Sequence, residues 1–271
     1  MKLSVIVPTY NRPSALVKVL DGLLAQSRLP DEIIIADDGS DILTREAVRP
    51  YLSNTKIRVS HIWQEDKGFR AARIRNRAVK ASGGDYLVFL DGDCIPHRHF
   101  INDHERLARK GYFFQGKRVI VSKKASPGFS FTDTDSALRL IRHLVLFRIS
   151  NGHHIVRLPF FPSQITSKLS GIRSCNMGVF RQDIMAVNGF NQAFTGWGRE
   201  DSELAVRLYK YGLKRKEHPF MAICYHLWHQ ENSRDNIEKN DALLNQTLAG
   251  EKYYCEFGIE NNPGQPDKDS L

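Results

Sequence analysis

Two carboxylates stand one residue apart in the segment FLDGDC at positions 89–94. Asp91 and Asp93 follow a run of apolar residues that predicts a buried strand, so their charges repel each other unless a cation or water lies between them. Paired carboxylates offer hard oxygen ligands for Mg²⁺ or Mn²⁺, which proteins often hold with one or two carboxylates and substrate phosphates. A plain turn is the alternative, because Asp and Gly are common turn residues.

A second pair of acids stands in GWGRED, at positions 196–201. Glu200 and Asp201 precede a helical pattern, where acids commonly cap a helix. The flanking glycines allow close backbone approach, and Trp197 could stack on a ligand. An acid on such a loop can also act as a general base.

Histidines and arginines supply the other candidates. The segment CYHLWHQ, at positions 224–230, places His226 and His229 near the end of a predicted strand, as metal ligands or as ordinary structural histidines. The segment FRAARIRNR crowds arginines at the start of a predicted helix, where phosphates are most easily reached. Arg70 is nearest that start; helical spacing turns the others in different directions, and a solvated basic face is the alternative.

Strand and helix patterns alternate over the first 95 residues. This alternation predicts a mostly parallel sheet covered by helices, and near-continuous apolar strands predict burial on both faces. Ligands bind beyond the carboxyl ends of such strands, where the clusters PTYNR, ADDGS and DGDC stand. Strands are predicted at 3–10, 31–40 (with a turn), 56–64 and 85–93, and helices at 14–26, 43–52 and 69–81.

The remaining chain is less regular. Residues 136–150 predict a basic amphipathic helix, which either packs on the core with one solvated face or contacts an anionic membrane or acceptor. A polar tail containing Pro and Gly predicts a flexible end. Further predictions are strands at 113–124, 176–181 and 221–230, a loop at 151–164 and a helix at 200–212.

Composition limits the class of protein. The 271 residues carry a net charge of +9, which favours an anionic partner. Nucleic acid is not expected, because acids interleave with the basic residues and no nucleic-acid module is evident. The four cysteines form no C-x-x-C pair and are expected to be reduced thiols. Without a signal-peptide pattern or a long apolar span, we expect a cytoplasmic protein.

Five segments occur in one order: SVIVPTYNR, EIIIADDGS, GFRAARIRN, YLVFLDGDC and GWGREDSELAVRLYKYG. Together they resemble the family-2 glycosyltransferases with the GT-A fold. The last also resembles the β-1,4-galactosyltransferases, the bacterial chondroitin polymerases and the polypeptide N-acetylgalactosaminyltransferases. The resemblance implies a Rossmann-like α/β domain at 1–230, with a nucleotide-binding half at 1–95 and an acceptor and catalytic half at 96–230. A C-terminal, acceptor-side extension, helical and then flexible, follows at 231–271.

The resemblance also implies residue roles. Asp201 matches the catalytic base. Asp93, with Asp91, matches the metal-binding carboxylates, and His229 matches a further metal ligand with His226 as its rival. Residues that match nucleotide-sugar contacts are Pro8, Thr9, Tyr10, Asp37, Asp38, Arg70, Asp91, Trp197 and Glu200.

The implied activity is a metal-dependent, inverting transfer of a sugar from a UDP-sugar to a hydroxyl group of a glycan or glycolipid acceptor. The expected cofactor is Mn²⁺ or Mg²⁺, and the expected setting is bacterial cell-surface polysaccharide or lipopolysaccharide synthesis, with peripheral contact on the inner face of the cell membrane. The alternatives are a transferase acting on a protein or small molecule, and a non-catalytic protein that binds nucleotide-sugar or nucleic acid.

Overall fold

An eight-stranded sheet, flanked by helices, forms the centre of the molecule in a computed structural model that describes residues 1–231 and 233–260. The predicted α/β architecture is therefore confirmed. The end of the predicted flexible tail, at 261–271, lies outside the described residues. The strands are β1 (Leu3–Thr9), β2 (Glu32–Asp37), β3 (Arg58–Trp63), β4 (Tyr86–Leu90), β5 (Cys94–Pro96), β6 (Tyr112–Gln115), β7 (Arg118–Val121), β8 (Ile149–Ser150), β9 (Gln164–Thr166), β10 (Asn176–Phe180), β11 (Lys214–Glu217) and β12 (Cys224–His226).

Helices cover both faces of this sheet, with a short 3₁₀ turn at Gly152–Ile155. The 13-residue helix α9 lies within the predicted C-terminal extension. Among the described residues, no helix is both long and apolar enough to cross a membrane. The helices are α1 (Pro13–Leu24), α2 (Ile42–Leu52), α3 (Ala71–Ala81), α4 (Phe100–Leu107), α5 (Phe131–Thr134), α6 (Ala137–Val145), α7 (Arg181–Ala186), α8 (Glu200–Lys210) and α9 (Ile237–Ala249).

The sheet order is β3-β2-β1-β4-β10-β6-β11-β9. The first four strands are parallel, while β10 runs antiparallel to both of its neighbours. Alternate residues of one strand point to opposite faces, so the sheet separates two apolar cores. Val5 packs in the core that includes residues of α1, whereas Ile6 packs in the core that includes residues of α3 and α8.

A second sheet, of order β5-β12-β7-β8, corrects one strand prediction. The segment 113–124 holds two strands, β6 and β7, which belong to different sheets. The chain turns between them at Gly116, whose N–H donates to the carbonyl of Asn176. A Cβ at 116 would lie 2.2 Å from the Asn176 amide nitrogen, so only glycine fits this approach.

Other boundaries differ from the sequence predictions. The strand predicted at 221–230 is confined to Cys224–His226, which leaves the second histidine in the following loop. The predicted loop at 151–164 includes the 3₁₀ turn, and α4 and α7 were not predicted. The amphipathic helix covers Ala137–Val145, and Leu140 is its one buried residue. All four cysteines are free and buried, as expected for reduced thiols.

Candidate active site

The carboxyl ends of β1, β2 and β4 meet at one edge of the sheet. Asp38 follows β2 and its N–H donates to the carbonyl of Thr9, while the Gly92 N–H donates to the carbonyl of Pro8 over 2.9 Å. A Cβ at position 92 would lie 2.8 Å from that Pro8 oxygen. The glycine between the two aspartates therefore lets the end of β4 pack directly against β1 and brings the predicted polar clusters together.

Asp93 forms a cluster with the two candidate histidines. Nε2 of His226 lies 3.6 Å from Oδ1 of Asp93, and Nε2 of His229 lies 3.4 Å from Oδ2. One ligand atom from each residue lies within 4.8 Å of the other two, so a single ion could reach all three. His226 lies on β12 and pairs with Cys94 of β5. Because Cys94 follows Asp93 directly, this pairing places the histidine beside Asp93.

Both imidazoles suit a metal ion. Nδ1 of His229 lies 2.7 Å from the carbonyl of Gln230, and because a carbonyl only accepts, this nitrogen carries the proton and leaves Nε2 free to bind a cation. Burial lowers the pKa of His226 to about 4, which keeps that ring neutral near neutral pH. Two neutral imidazoles and a carboxylate form a mixed nitrogen and oxygen donor set. Such a set suits a transition-metal ion better than Mg²⁺, which prefers oxygen ligands.

Arg12 occupies the position of a cation beside Asp93. Its Nη1 lies 2.8 Å from Oδ2 of Asp93, the oxygen that also faces His229. Arg12 was not among the predicted site residues, although it stands within the cluster PTYNR. A second unassigned arginine, Arg118, lies on β7, the strand next to β12. Burial raises the pKa of Asp91, and the charge of Arg118 opposes that rise.

Arg75 connects the two acidic segments. This arginine of α3 is 5% exposed. Its guanidinium lies 3.0 Å from Oε1 of Glu200, 3.6 Å from Oδ1 of Asp91 and 3.8 Å from Oδ1 of Asp201. The Arg75 guanidinium thus lies close to both Asp91 and Asp201, which are 110 positions apart in the sequence. Among the crowded arginines of this helix, Arg75 was not the residue that the sequence singled out.

Asp201 is oriented by the backbone. Its Oδ2 accepts a hydrogen bond from the N–H of Ser174 over 2.9 Å. Its Oδ1 is buried and accepts no hydrogen bond from any of the described residues. The loop before α8 reaches this position through Arg199, which has a φ of 77°, and the flanking Gly198, which has a φ of 104°. One carboxylate oxygen is therefore fixed by the backbone, while the other lies 3.8 Å from the Arg75 guanidinium.

Burial changes the acidity of the neighbouring carboxyl groups. Burial raises the pKa of Asp91, the Arg75 charge opposes this shift, and the charge of Asp93 adds to it. Burial also raises the pKa of Glu200, with a further rise from Asp201 and an opposing effect of Arg75. Three acids around Arg75, namely Asp91, Glu200 and Asp201, leave an excess of negative charge, which a bound cation would stabilise.

A cleft of about 240 Å³ opens beside these groups. Tyr10 and Trp197, two of the predicted nucleotide-sugar contacts, face it with 44% and 41% of their surfaces exposed. Phe69, which was not among the predicted site residues, adds a third aromatic ring to the cleft. Asn236, just before α9, also lines the cleft. Exposed rings around a polar site provide flat surfaces for a nucleobase or a sugar.

Other predicted contacts hold the protein itself together. Asp37 is 1% exposed, and its two oxygens meet the Ser40 N–H and the His61 ring. Asp38 accepts from the Arg70 N–H over 2.7 Å and so fixes the start of α3. Arg70 itself donates to the carbonyl of Glu65. In this arrangement all three organise the wall of the site, and their contacts with a nucleotide remain predictions.

The chain matches two family models. The description "Glycosyl transferase family 2" fits residues 4–155, and "N-terminal domain of galactosyltransferase" fits residues 156–230. Validoxylamine A glucosyltransferase of Streptomyces hygroscopicus subsp. limoneus is 29% identical over 78% of this chain and 48% of its own length. Chondroitin synthase of Escherichia coli is 25% identical over 78% of this chain and 32% of its own length. The chain thus spans half or less of these two relatives.

A solved structure shares the fold. GalNAc-T7 with UDP, GalNAc and Mn²⁺ superposes with a TM-score of 0.63 at 14% identity, over 85% of this chain and 44% of the other. At that identity the likeness concerns the arrangement of helices and strands alone.

Proposed function

The chain belongs to glycosyl transferase family 2 and has the GT-A fold, and on this premise we propose that it transfers a sugar from a UDP-sugar to a hydroxyl group of a glycan acceptor. The observation that carries the proposal is the position of Asp201. An oriented carboxylate shares Arg75 with Asp91, next to a group of residues that can hold a metal ion. A base on one side of a pocket and a cationic site for a diphosphate on the other are what displacement at an anomeric carbon requires.

Asp201 is the proposed base. Its carboxylate would accept the proton of the acceptor hydroxyl as that oxygen attacks the anomeric carbon, while the bond from that carbon to the diphosphate breaks. Direct displacement of this kind inverts the configuration at the anomeric carbon. The Ser174 N–H keeps the carboxylate in place. Arg75 lies 3.8 Å from this carboxylate and also orients Glu200, which we propose as a sugar contact.

Asp93, His226 and His229 are the proposed metal ligands, with Asp91 beside them. A divalent cation bound there would act as a Lewis acid that stabilises the departing diphosphate. The same ion would replace Arg12 as the partner of Asp93, which frees a guanidinium for phosphate oxygens. The Mn²⁺ bound in the GalNAc-T7 structure supports manganese, and the carboxylate oxygens of Asp91 and Asp93 are ligands that suit this ion.

The donor contacts are proposed at the strand ends and the cleft. Pro8, Thr9 and Tyr10 at the end of β1 would face the nucleotide, and Trp197 would pack against a sugar. Thr9 has a buried hydroxyl oxygen that meets no partner among the described residues, which supports a ligand there. The nucleotide bound in the GalNAc-T7 structure is UDP, and we propose a UDP-sugar as the donor on this ground.

The acceptor class is proposed from the relatives. The chondroitin synthase named above supports a growing polysaccharide, in keeping with bacterial cell-surface synthesis. The validoxylamine A glucosyltransferase supports a second candidate, a small-molecule acceptor.

A thermal-shift series tests the proposal. The protein is heated with UDP-sugars, with GDP-mannose as a nucleotide control, each with and without Mn²⁺. We expect one UDP-sugar to raise the Tm only when Mn²⁺ is present, since a ligand that binds the native state stabilises it by mass action. Asp93→Asn should abolish the part of the rise in Tm that depends on Mn²⁺. An equal rise without metal, or no rise with any UDP-sugar, would contradict the proposal.

A further inference from the structure

A long basic stretch includes the amphipathic helix α6. The chain has no acidic residue between positions 136 and 182. Within this stretch, α6 and the turn after it contain Arg139, Arg142 and Arg148. Neither Arg142 nor Arg148 lies within ion-pair distance of a carboxylate in the described parts of the chain, whereas Arg139 reaches Asp133 at 3.8 Å. The positive charge of this region is therefore largely uncompensated.

The outward side of α6 is apolar. Leu140 is 4% exposed and joins the core, whereas Leu138 and Val145 are 78% and 67% exposed. Leu138 and Val145 are two helical turns apart and so lie on one side, roughly opposite Leu140. Ile141, 52% exposed, borders that side on one edge, and the arginine at 142 borders it on the other. Burial against the core cannot explain these outward residues.

Phe147 is the most unusual residue of this region. Its φ is 52°, in the left-handed region where glycine normally ends a helix. Its N–H donates to the carbonyl of Leu144, and the Arg148 N–H donates to the carbonyl of His143, so residues 143–148 form the Schellman motif that closes α6. The phenylalanine ring is nonetheless 91% exposed. The sequence thus keeps a disfavoured residue at this turn with no packing gain in the free protein.

More cations and an aromatic ring lie close by. The Ser122 N–H donates to the carbonyl of Arg148 over 2.9 Å, which places the exposed Lys123 and Lys124 beside the end of α6. The Lys123 ammonium lies 4.6 Å from the ring centre of Trp228, which is 44% exposed and stands between the two candidate metal-ligand histidines. The basic region therefore extends to the edge of the candidate active site.

We propose that the α6 surface, made of Leu138, Ile141, Val145 and Phe147 with Arg142 at its border, docks on an anionic phospholipid bilayer. An apolar side bordered by cations is the pattern of helices that lie in a membrane interface, where the apolar residues enter the headgroup layer and the cations meet lipid phosphates. A second copy of the chain is a poor occupant, because the same uncompensated positive charge would face itself. Docking there would present the active-site edge to acceptors held at the bilayer.

Vesicle flotation tests this proposal without any sugar transfer. The full chain is mixed with vesicles of phosphatidylcholine alone, or of phosphatidylcholine with phosphatidylglycerol, at low and high salt. We expect flotation only with the anionic vesicles and a decrease at high salt. Phe147→Gly should weaken partitioning about tenfold and Arg142→Gln about fivefold. Phe147→Gly should leave the Tm unchanged or higher, because glycine adopts this φ freely.

A matched pair of leucines supplies the control. Leu138→Ser should weaken partitioning by about as much as Phe147→Gly, whereas Leu43→Ser should leave it unchanged, because Leu43 is 60% exposed on the separate helix α2. The proposal is overturned if the wild type ignores anionic vesicles, if neutral vesicles bind it equally well, or if the α6 variants float like the wild type. It is also overturned if light scattering shows a dimer that Phe147→Gly dissociates.

Discussion

Arg12 donates a hydrogen bond to Asp93, with 2.8 Å between Nη1 and Oδ2. The same oxygen lies 3.4 Å from Nε2 of His229, so the guanidinium and a metal ion would compete for one carboxylate oxygen. A metal ion bound through this oxygen would therefore displace the ion pair between Arg12 and Asp93.

Replacing the arginine should strengthen metal binding in the absence of nucleotide. We expect Arg12→Ala to bind Mn²⁺ more tightly, by about fivefold at most, because a partly exposed ion pair contributes about 0–1 kcal/mol. Titration calorimetry with Mn²⁺ measures the change. Arg98→Ala is the matched control, since its ion pair with Asp135 has a similar length of 2.9 Å but lies elsewhere. Weaker binding in Arg12→Ala would show that Arg12 supports the metal site instead of competing for it.

The glycine of the DGD segment should tolerate no side chain. A Cβ at position 92 meets the Pro8 carbonyl at 2.8 Å, so Gly92→Ala must displace the end of β4 from β1. We expect a loss of about 1–3 kcal/mol in the free energy of unfolding, typical of overpacking, and weaker Mn²⁺ binding. Urea denaturation measures the stability. A Cβ at Gly128 meets nothing within 4 Å, so Gly128→Ala should stay within about 0.5 kcal/mol of the wild type. Equal stability of the two variants would refute the close approach.

Buried histidines should make the fold sensitive to acid. Burial lowers the pKa of His97, His104 and His226 to about 4. The unfolded chain takes up these protons first, near pH 6.5, so each histidine lowers the free energy of unfolding as the pH falls from about 6.5 to about 4, by about 1.4 kcal/mol per pH unit at most. Asp91, whose pKa is raised, acts in the opposite direction.

The contribution of a single histidine to this pH dependence of the free energy of unfolding can be measured separately. Urea denaturation across that pH window, in the presence of a chelator, should give His104→Gln a slope shallower by about one proton than that of the wild type. His104 is suitable because it is fully buried and lies outside the proposed metal site. Identical slopes for the two proteins would mean that His104 is already protonated in the native state.

The elements that could be predicted from the sequence are those whose apolar residues form a local pattern. The strands β1, β2 and β4 are almost wholly buried, so their apolar runs stand out in the sequence, and their ends place Asp38 and Asp91 at one edge. The division of 113–124 was missed because it depends on the contact between Gly116 and Asn176, a residue distant in the sequence.

The arginines show most clearly which site contacts could not be predicted from the sequence. Arg70 stood at the start of α3 and was singled out, yet Arg75, one turn later, is the residue that joins Asp91 to the start of α8. Which side of a helix faces a site depends on packing with residues far away in the sequence, here Phe190 under the Arg75 guanidinium. The role of Arg12 could not be predicted for the same reason, because it depends on contact with Asp93, which is distant in the sequence.

The proposed base is tested most directly by Asp201→Asn. The change keeps the shape and leaves an oxygen that can accept from the Ser174 N–H, but it removes proton uptake. The measurement is UDP release from the UDP-sugar that stabilises the wild type, with a panel of sugar acceptors, alongside calorimetry with UDP and Mn²⁺. Asp135→Asn, at a surface ion pair, is the control.

We expect Asp201→Asn to lower transfer about a thousandfold while UDP and Mn²⁺ bind as in the wild type, and Asp135→Asn to transfer normally. Transfer by Asp201→Asn within a few-fold of the wild type would contradict the role of Asp201 as the base.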